Sequence, residues 1–191
     1  MREEEMGIRH LVLGLLVIWI VCSGRGLVMG QSSPRTLKQE AVVILRGITV
    51  DNKKVQQDIA KAADSIEQSL VERGTPLFLD ESRIVSFPIG NRVFDREAHA
   101  IALLLEANRY QAATPVIKAT LTQVINLLVQ ADQGIAATAI AAAKELVQVG
   151  QGDAKSLDKA RHAFSEAMSS REPHQQVEKF KKAWEHAHQV I

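Results

Sequence analysis

TPVIKATLTQVINLLVQADQGIAATAIAAAKELVQVG, residues 114–150, is the stretch on which the fold turns. Thr114 supplies an N-cap hydroxyl, and Pro115 occupies the first helical position, where a missing N–H costs nothing. Beyond them Ile117, Leu121, Val124, Leu128, Ala131, Ile135, Thr138, Ala142 and Val149 recur at alternating steps of three and four, with Glu145 the one break. That spacing is one face of an α-helix. Carried to Gln148 or Val149, the helix is about 50 Å long. Gly134 is placed to bend it or to let a neighbour approach, and the alanine-rich run 136–143 also predicts close packing.

Working toward the C-terminus, Gly150-Gln151-Gly152 reads as a hinge. Asp153 caps a helix over 154–169 with Leu157, Ala160, Phe164 and Ala167 inward. Glu172-Pro173 starts another with Val177, Phe180, Trp184 and Ala187 inward. Together they predict an αα-hairpin in which alanine packs against large aromatics.

Working toward the N-terminus, Asp95 caps a helix over 96–110 with Ala98, Ile101, Ala102 and Leu105 on its face. Residues 77–94 break helical periodicity at Pro88 and Gly90, giving a loop whose Phe78, Ile84, Phe87 and Phe94 tuck onto the bundle. Asp51 caps a helix carrying Val55, Ile59, Ala62, Ile66 and Leu70, stopped by Gly74-Thr75-Pro76. A first helix over 35–46 offers Leu37, Val42 and Leu45 and follows a flexible lead, Ser32-Ser33-Pro34. The expected fold is all-α: a bundle of about six helices with one long central helix and a C-terminal hairpin. Residues 31–150 form the bundle, and 151–191 the hairpin that packs on it.

Composition agrees. Aromatics are 4% of the 191 residues, so the core rests on Ala, Leu, Val and Ile, a mixture that favours closely approaching helices over sheets. Residues 11–21 (LVLGLLVIWIV) are an apolar run behind a polar segment carrying Arg2 and Arg9, the form of a secretory signal. Cleavage after Val28-Met29-Gly30 starts the mature chain at Gln31. Two other readings are an uncleaved anchor over 11–28, interrupted by Arg25, and lipidation at Cys22, preceded by a poor lipobox. The chain is thus expected to be exported, periplasmic or secreted, with membrane contact only through the N-terminal segment if that is retained. Its net charge is +1 with or without that segment, so no basic excess exists for nucleic acid. Cys22 is the only cysteine. Its removal excludes disulfides, Cys zinc sites and a Cys nucleophile.

Asp64-Ser65-Ile66-Glu67-Gln68-Ser69-Leu70 followed by Gly90-Asn91-Arg92-Val93-Phe94-Asp95 resembles a helical module of unknown function found in exported bacterial and archaeal proteins. Val129-Gln130-Ala131-Asp132 is similar to its central helix, and Phe180-Lys181-Lys182-Ala183-Trp184-Glu185-His186-Ala187 to its closing one. The resemblance covers about 55–191. This chain departs from the module at Phe78-Leu79-Asp80, where a tryptophan more often precedes the acid, and at Gln133, where arginine is commoner. The resemblance implies fold and export and carries no activity. The segment 153–190 also resembles one tetratricopeptide-like repeat, whereas a solenoid needs about three.

Few residues invite chemistry. Asp132 lies mid-helix beside the apolar stripe, and a buried carboxylate there needs a partner, for which Arg83, Arg92, Arg96 and Lys144 are candidates. Asp80 and Arg83 in the loop could clamp a partner or bind a cation. Calcium, however, asks for about six oxygens. His186 and His188 stand two apart on one helix and face differently, unlike a metal-binding pair four apart, while His99, His162 and His174 lie on other segments. No G-x-S-x-G, P-loop, H-E-x-x-H or C-x-x-C-H motif is present. The expected function is non-catalytic and without cofactor: an interaction or structural module, with protein partners in the cell envelope. The alternative is a ligand- or metal-binding bundle built around Asp132 and a histidine.

Overall fold

The computed structural model describes residues 32–190. The signal, anchor and Cys22 readings, and the start at Gln31, fall outside that range. Six helices hold 73% of the described residues. They are α1 (Pro34–Arg46), α2 (Lys53–Leu70), α3 (Asn91–Arg109), α4 (Pro115–Gln148), α5 (Ala154–Ser169) and α6 (Pro173–His188), joined by short loops and one two-stranded ribbon. The fold is an all-α multi-helix bundle with only a tiny sheet. The long helix α4 is its axis: α1, α3, α5 and α6 all pack along it, while α2 pairs with α3 and α5 with α6.

The helix ends follow from their caps. Thr114 Oγ1 accepts from the Ile117 N–H (3.3 Å), with Pro115 at the first position. The Asp153 carboxylate accepts from the Lys155 and Ser156 N–H groups. At α2 the cap is Asn52 rather than Asp51, because the Asn52 side-chain oxygen reaches both the Lys54 and Val55 N–H groups. At α3 the helix begins four residues ahead of the expected Asp95 cap. Its N-cap is Gly90, and Asp95 lies inside the helix and pairs with Lys181 (2.6 Å). Ser32-Ser33-Pro34 is no loose lead. Ser33 caps α1 and donates to Glu81 (2.6 Å), and Pro34 is buried.

The packed faces carry most of the expected apolar positions. Val55, Ile59, Ala62 and Ile66 of α2 are buried, as are Val177, Phe180, Trp184 and Ala187 of α6. Each large side chain so buried contributes about 1.5–3 kcal/mol. On α1 the buried row is Pro34, Lys38, Ala41 and Leu45, with Leu37 and Val42 only half-buried. On α3 the row is Phe94, Glu97, Ile101 and Leu104, and Ala102 is exposed. Both rows pass through a charged residue that simple apolar counting skips. Gly134 admits a neighbour rather than bending the helix: a Cβ there would stand 2.8 Å from Pro34 Cγ of α1.

Between α2 and α3 the chain is ordered. β1 (Val71–Glu72) pairs antiparallel with β2 (Thr75–Pro76), and a further bridge joins Phe78 to Ile84. Phe78, Ile84 and Phe94 are buried, but Phe94 belongs to α3, and Phe87 is 57% exposed rather than tucked in. The C-terminal hairpin joins the body through Trp184, whose ring meets Phe94 at 5.8 Å, while Phe180 against Phe164 at 5.3 Å ties its own two helices together.

Candidate functional site

Two features of the described residues stand apart from ordinary packing. One is an open cleft over the C-terminal half of α4. The other is a dry group of three ionisable side chains beneath the 77–90 segment.

The cleft explains where the α4 stripe departs from expectation. From Leu121 to Ile135 the striped residues are buried, but Ile117 and Thr138 are half-buried, Ala142 exposed and Val149 67% exposed. Among the described residues no helix covers this part of the stripe. Instead Thr138, Ala139, Ala142, Ala143 and Leu146 floor a cavity of about 250 Å³. Its walls are Trp184, Ala187 and His188 of α6 and Leu79 to Ser86 of the connecting segment. The alanines are the local cause, because side chains of one carbon leave the gap that leucines would fill. His188 lies against the Trp184 ring (4.1 Å between centroids), and its Nδ1 is 3.0 Å from the Trp184 carbonyl oxygen.

Asp80 and Arg83 meet at the rim. Asp80 accepts from the Ser82 and Arg83 backbone N–H groups (2.9 and 2.8 Å) and from Arg83 Nε (2.5 Å). The Ser82 backbone bond, then the Arg83 guanidinium and the Arg83 backbone, hold the Asp80 carboxyl down at about 2. Asp80 therefore spends its lone pairs on its own turn, and Arg83 is left lining the cleft.

Asp132 joins neither of them. Its expected partners are engaged elsewhere: Arg83 with Asp80, and Arg92 and Arg96 with Glu72, while Lys144 is exposed. The structure brings Asp132 of α4 to Lys38 of α1 and Glu97 of α3, all three wholly buried. Lys38 Nζ lies against Glu97 Oε1 and 3.8 Å from Asp132 Oδ1. Ser69 Oγ of α2 stands 2.7 Å from the Ile66 carbonyl oxygen and 3.2 Å from Glu97 Oε1, its one proton shared between these two acceptors. The Phe78 ring sits over the ammonium group, 5.0 Å from its centroid, within cation–π range. The Asp132 carboxyl faces both partners, yet neither of its oxygens completes a hydrogen bond among the described residues.

One lysine cannot balance two carboxylates in a medium where each bare charge costs several kcal/mol. Burial, and then the neighbouring Glu97 carboxylate, push the Asp132 carboxyl well above the usual carboxylate range. That shift favours the protonated form of Asp132 beside the Lys38–Glu97 pair.

Lys38 and Glu97 were not legible as site residues by type. Their signal was position: each occupies a stripe site, 34-38-41-45 on α1 and 94-97-101-104 on α3. The histidines stay apart: His99, His162 and His174 are exposed, and His186 turns to Gln189. Among the described residues no three His, Cys, Asp or Glu side chains stand close enough to hold a metal. No family model, curated protein or solved structure matches this chain.

Proposed function

We propose that the chain is a non-catalytic helical binding module acting outside the cytoplasm, and that it captures a protein partner through the cleft over α4. The observation that carries this reading is an apolar cleft left open along the central helix among the described residues, lined by Leu79, which is 66% exposed, with Phe87 and Ile89 at 57% and 48% exposed on the same connecting segment. Exposed apolar side chains gathered on one segment mark interaction surfaces. The cavity's volume of about 250 Å³ falls below the roughly 300 Å³ where small-molecule pockets begin. It suits one or two anchoring side chains of a partner, ringed by polar groups that exclude water. Arg83, Ser82 and His188 supply that rim. The leader-like segment 1–30 supports action outside the cytoplasm.

A second reading, a small amphipathic ligand with its acid toward Arg83 and His188, rests on the same cleft. Its metal-binding version gains no support from the dispersed histidines.

The test uses Leu79→Asp and Ala142→Arg, both at exposed positions that the core does not need. Envelope extracts are passed over the wild-type chain and each variant, and purified wild type is examined by native mass spectrometry. A protein retained by wild type and lost from both variants supports the reading. Equal retention by all three, a stoichiometric small molecule in the cleft, or a turnover activity of the pure chain each speaks against it.

A further inference from the structure

We infer that Lys38 and Asp132 condense spontaneously into an isopeptide bond, Nζ to Cγ, with Glu97 as the proton-transferring catalytic residue. The inference stands on the buried group alone and is independent of the cleft.

The geometry supplies each part of the reaction. The lysine nitrogen, the acceptor carboxyl and a second carboxylate are wholly buried and mutually adjacent. They come from α1, α4 and α3, so the three packed helices hold them in register without relying on a loop. Lys38 Nζ is 3.8 Å from Asp132 Oδ1, and attack requires a side-chain shift of Lys38 or a change in the Asp132 χ1 angle that sets Nζ about 3–3.5 Å from the carboxyl carbon. Glu97 is steadied by Ser69 and touches the nucleophile. Phe78 closes the site from above. Neither Asp132 oxygen is held by a hydrogen bond among the described residues, so the carboxyl is free to reorient toward the amine. Burial and the neighbouring Glu97 carboxylate favour the neutral acid of Asp132, the form an amine can attack.

The step balances without any co-reactant. Glu97 takes one proton from the Lys38 ammonium, leaving a free amine. The amine lone pair attacks Asp132 Cγ, forming the N–C bond and a tetrahedral centre. Glu97 passes its proton to the hydroxyl on that carbon and takes the second proton from the nitrogen. The C–O bond breaks, water departs, and the carbonyl re-forms. One ammonium, one carboxylic acid and one carboxylate become an amide, a water and a protonated Glu97, with total charge zero on both sides. The Lys38–Glu97 charge pair in a dry interior is thereby replaced by neutral groups, which removes its desolvation cost. The product ties α1 to α4 covalently in a chain whose single cysteine permits no internal disulfide.

The experiment is mass spectrometry of the full chain, read against its own N-terminus, followed by tryptic mapping. The expected result is a protein one water lighter than its sequence. It should yield a branched peptide in which 36–46, uncut at Lys38, is joined to 119–144. A wild-type chain of full sequence mass, with trypsin cutting after Lys38, overturns the bond. Glu97→Gln, checked for helicity by circular dichroism, is expected at full mass with the two peptides separate. A linked Glu97→Gln protein overturns the role given to Glu97. Should that variant not fold, the wild-type mass and branched peptide still decide whether the bond exists.

Discussion

Trp184 shows how much one side chain can carry. It is 1% exposed, rests on Phe94 of α3, walls the cleft and stacks against His188. Trp184→Ala is expected to cost about 3–5 kcal/mol, as large aromatic deletions in cores do, and denaturant unfolding monitored by circular dichroism measures it. Gly90 faces the same ring. A Cβ there would come within 2.6 Å of Trp184 Cη2 and 2.3 Å of the Val85 carbonyl oxygen, so no side chain fits without moving backbone. At the rim, Asp80 makes a pH prediction. Its folded pKa is depressed, so the order it lends its turn is complete above the unfolded carboxylate value, about 3.9, and is lost as pH falls through about 2. The Ser82 and Arg83 amide resonances should therefore titrate with a midpoint near 2. A midpoint at the unperturbed carboxylate value would show the turn to be open in solution.

Helices add caps and contacts to these single residues. Asp153 caps α5 with three hydrogen bonds, two from backbone N–H groups and one from the Ser156 hydroxyl. Asp153→Ala should cost about 1 kcal/mol, while Asp153→Asn should restore most of it; equilibrium unfolding of both variants decides. The α1–α4 crossing depends on Gly134. Gly134→Ala gains helix propensity but drives a methyl into Pro34, and overpacking of that kind typically costs about 1–3 kcal/mol. An unfolding midpoint at or above wild type would mean that Pro34 yields and the helices need not approach so closely. The helix types and most of their ends were legible because caps and prolines act within four residues. Asn52 and Gly90 displaced the expected caps by one and five positions, since which of several polar residues closes a helix depends on how the preceding loop enters it.

The molecule as a whole depends on the hairpin. Phe180 and Trp184 belong to the same apolar core as Phe94, Ile101 and Leu128, and α6 packs along both α4 and α3. A chain ending at Gly150 is expected to lose cooperative unfolding, because that core is then open on one side. A sharp melting transition for the truncated chain would mean that 32–150 is self-sufficient. α4 is long and apolar enough to cross a membrane, and one face of it, from Leu121 to Ala136, is buried against other helices of the bundle. Among the described residues its stripe is open from Thr138 onward, at the cleft and at Val149.

Periodicity and capping, which are local, determined from the sequence alone that this is an all-helical chain with a long central helix and a closing hairpin. The helices carry that information in their own 3.6-residue repeat, so no knowledge of neighbours is needed. Asp80 with Arg83, and Asp132 as a carboxylate in want of a partner, were visible for the same reason. That Asp132 meets Lys38 and Glu97, that Ala142 opens onto a cleft and that Phe87 faces outward were decided only by tertiary structure. Each depends on which faces of distant helices come together, and a repeat along one helix carries no record of what packs against it.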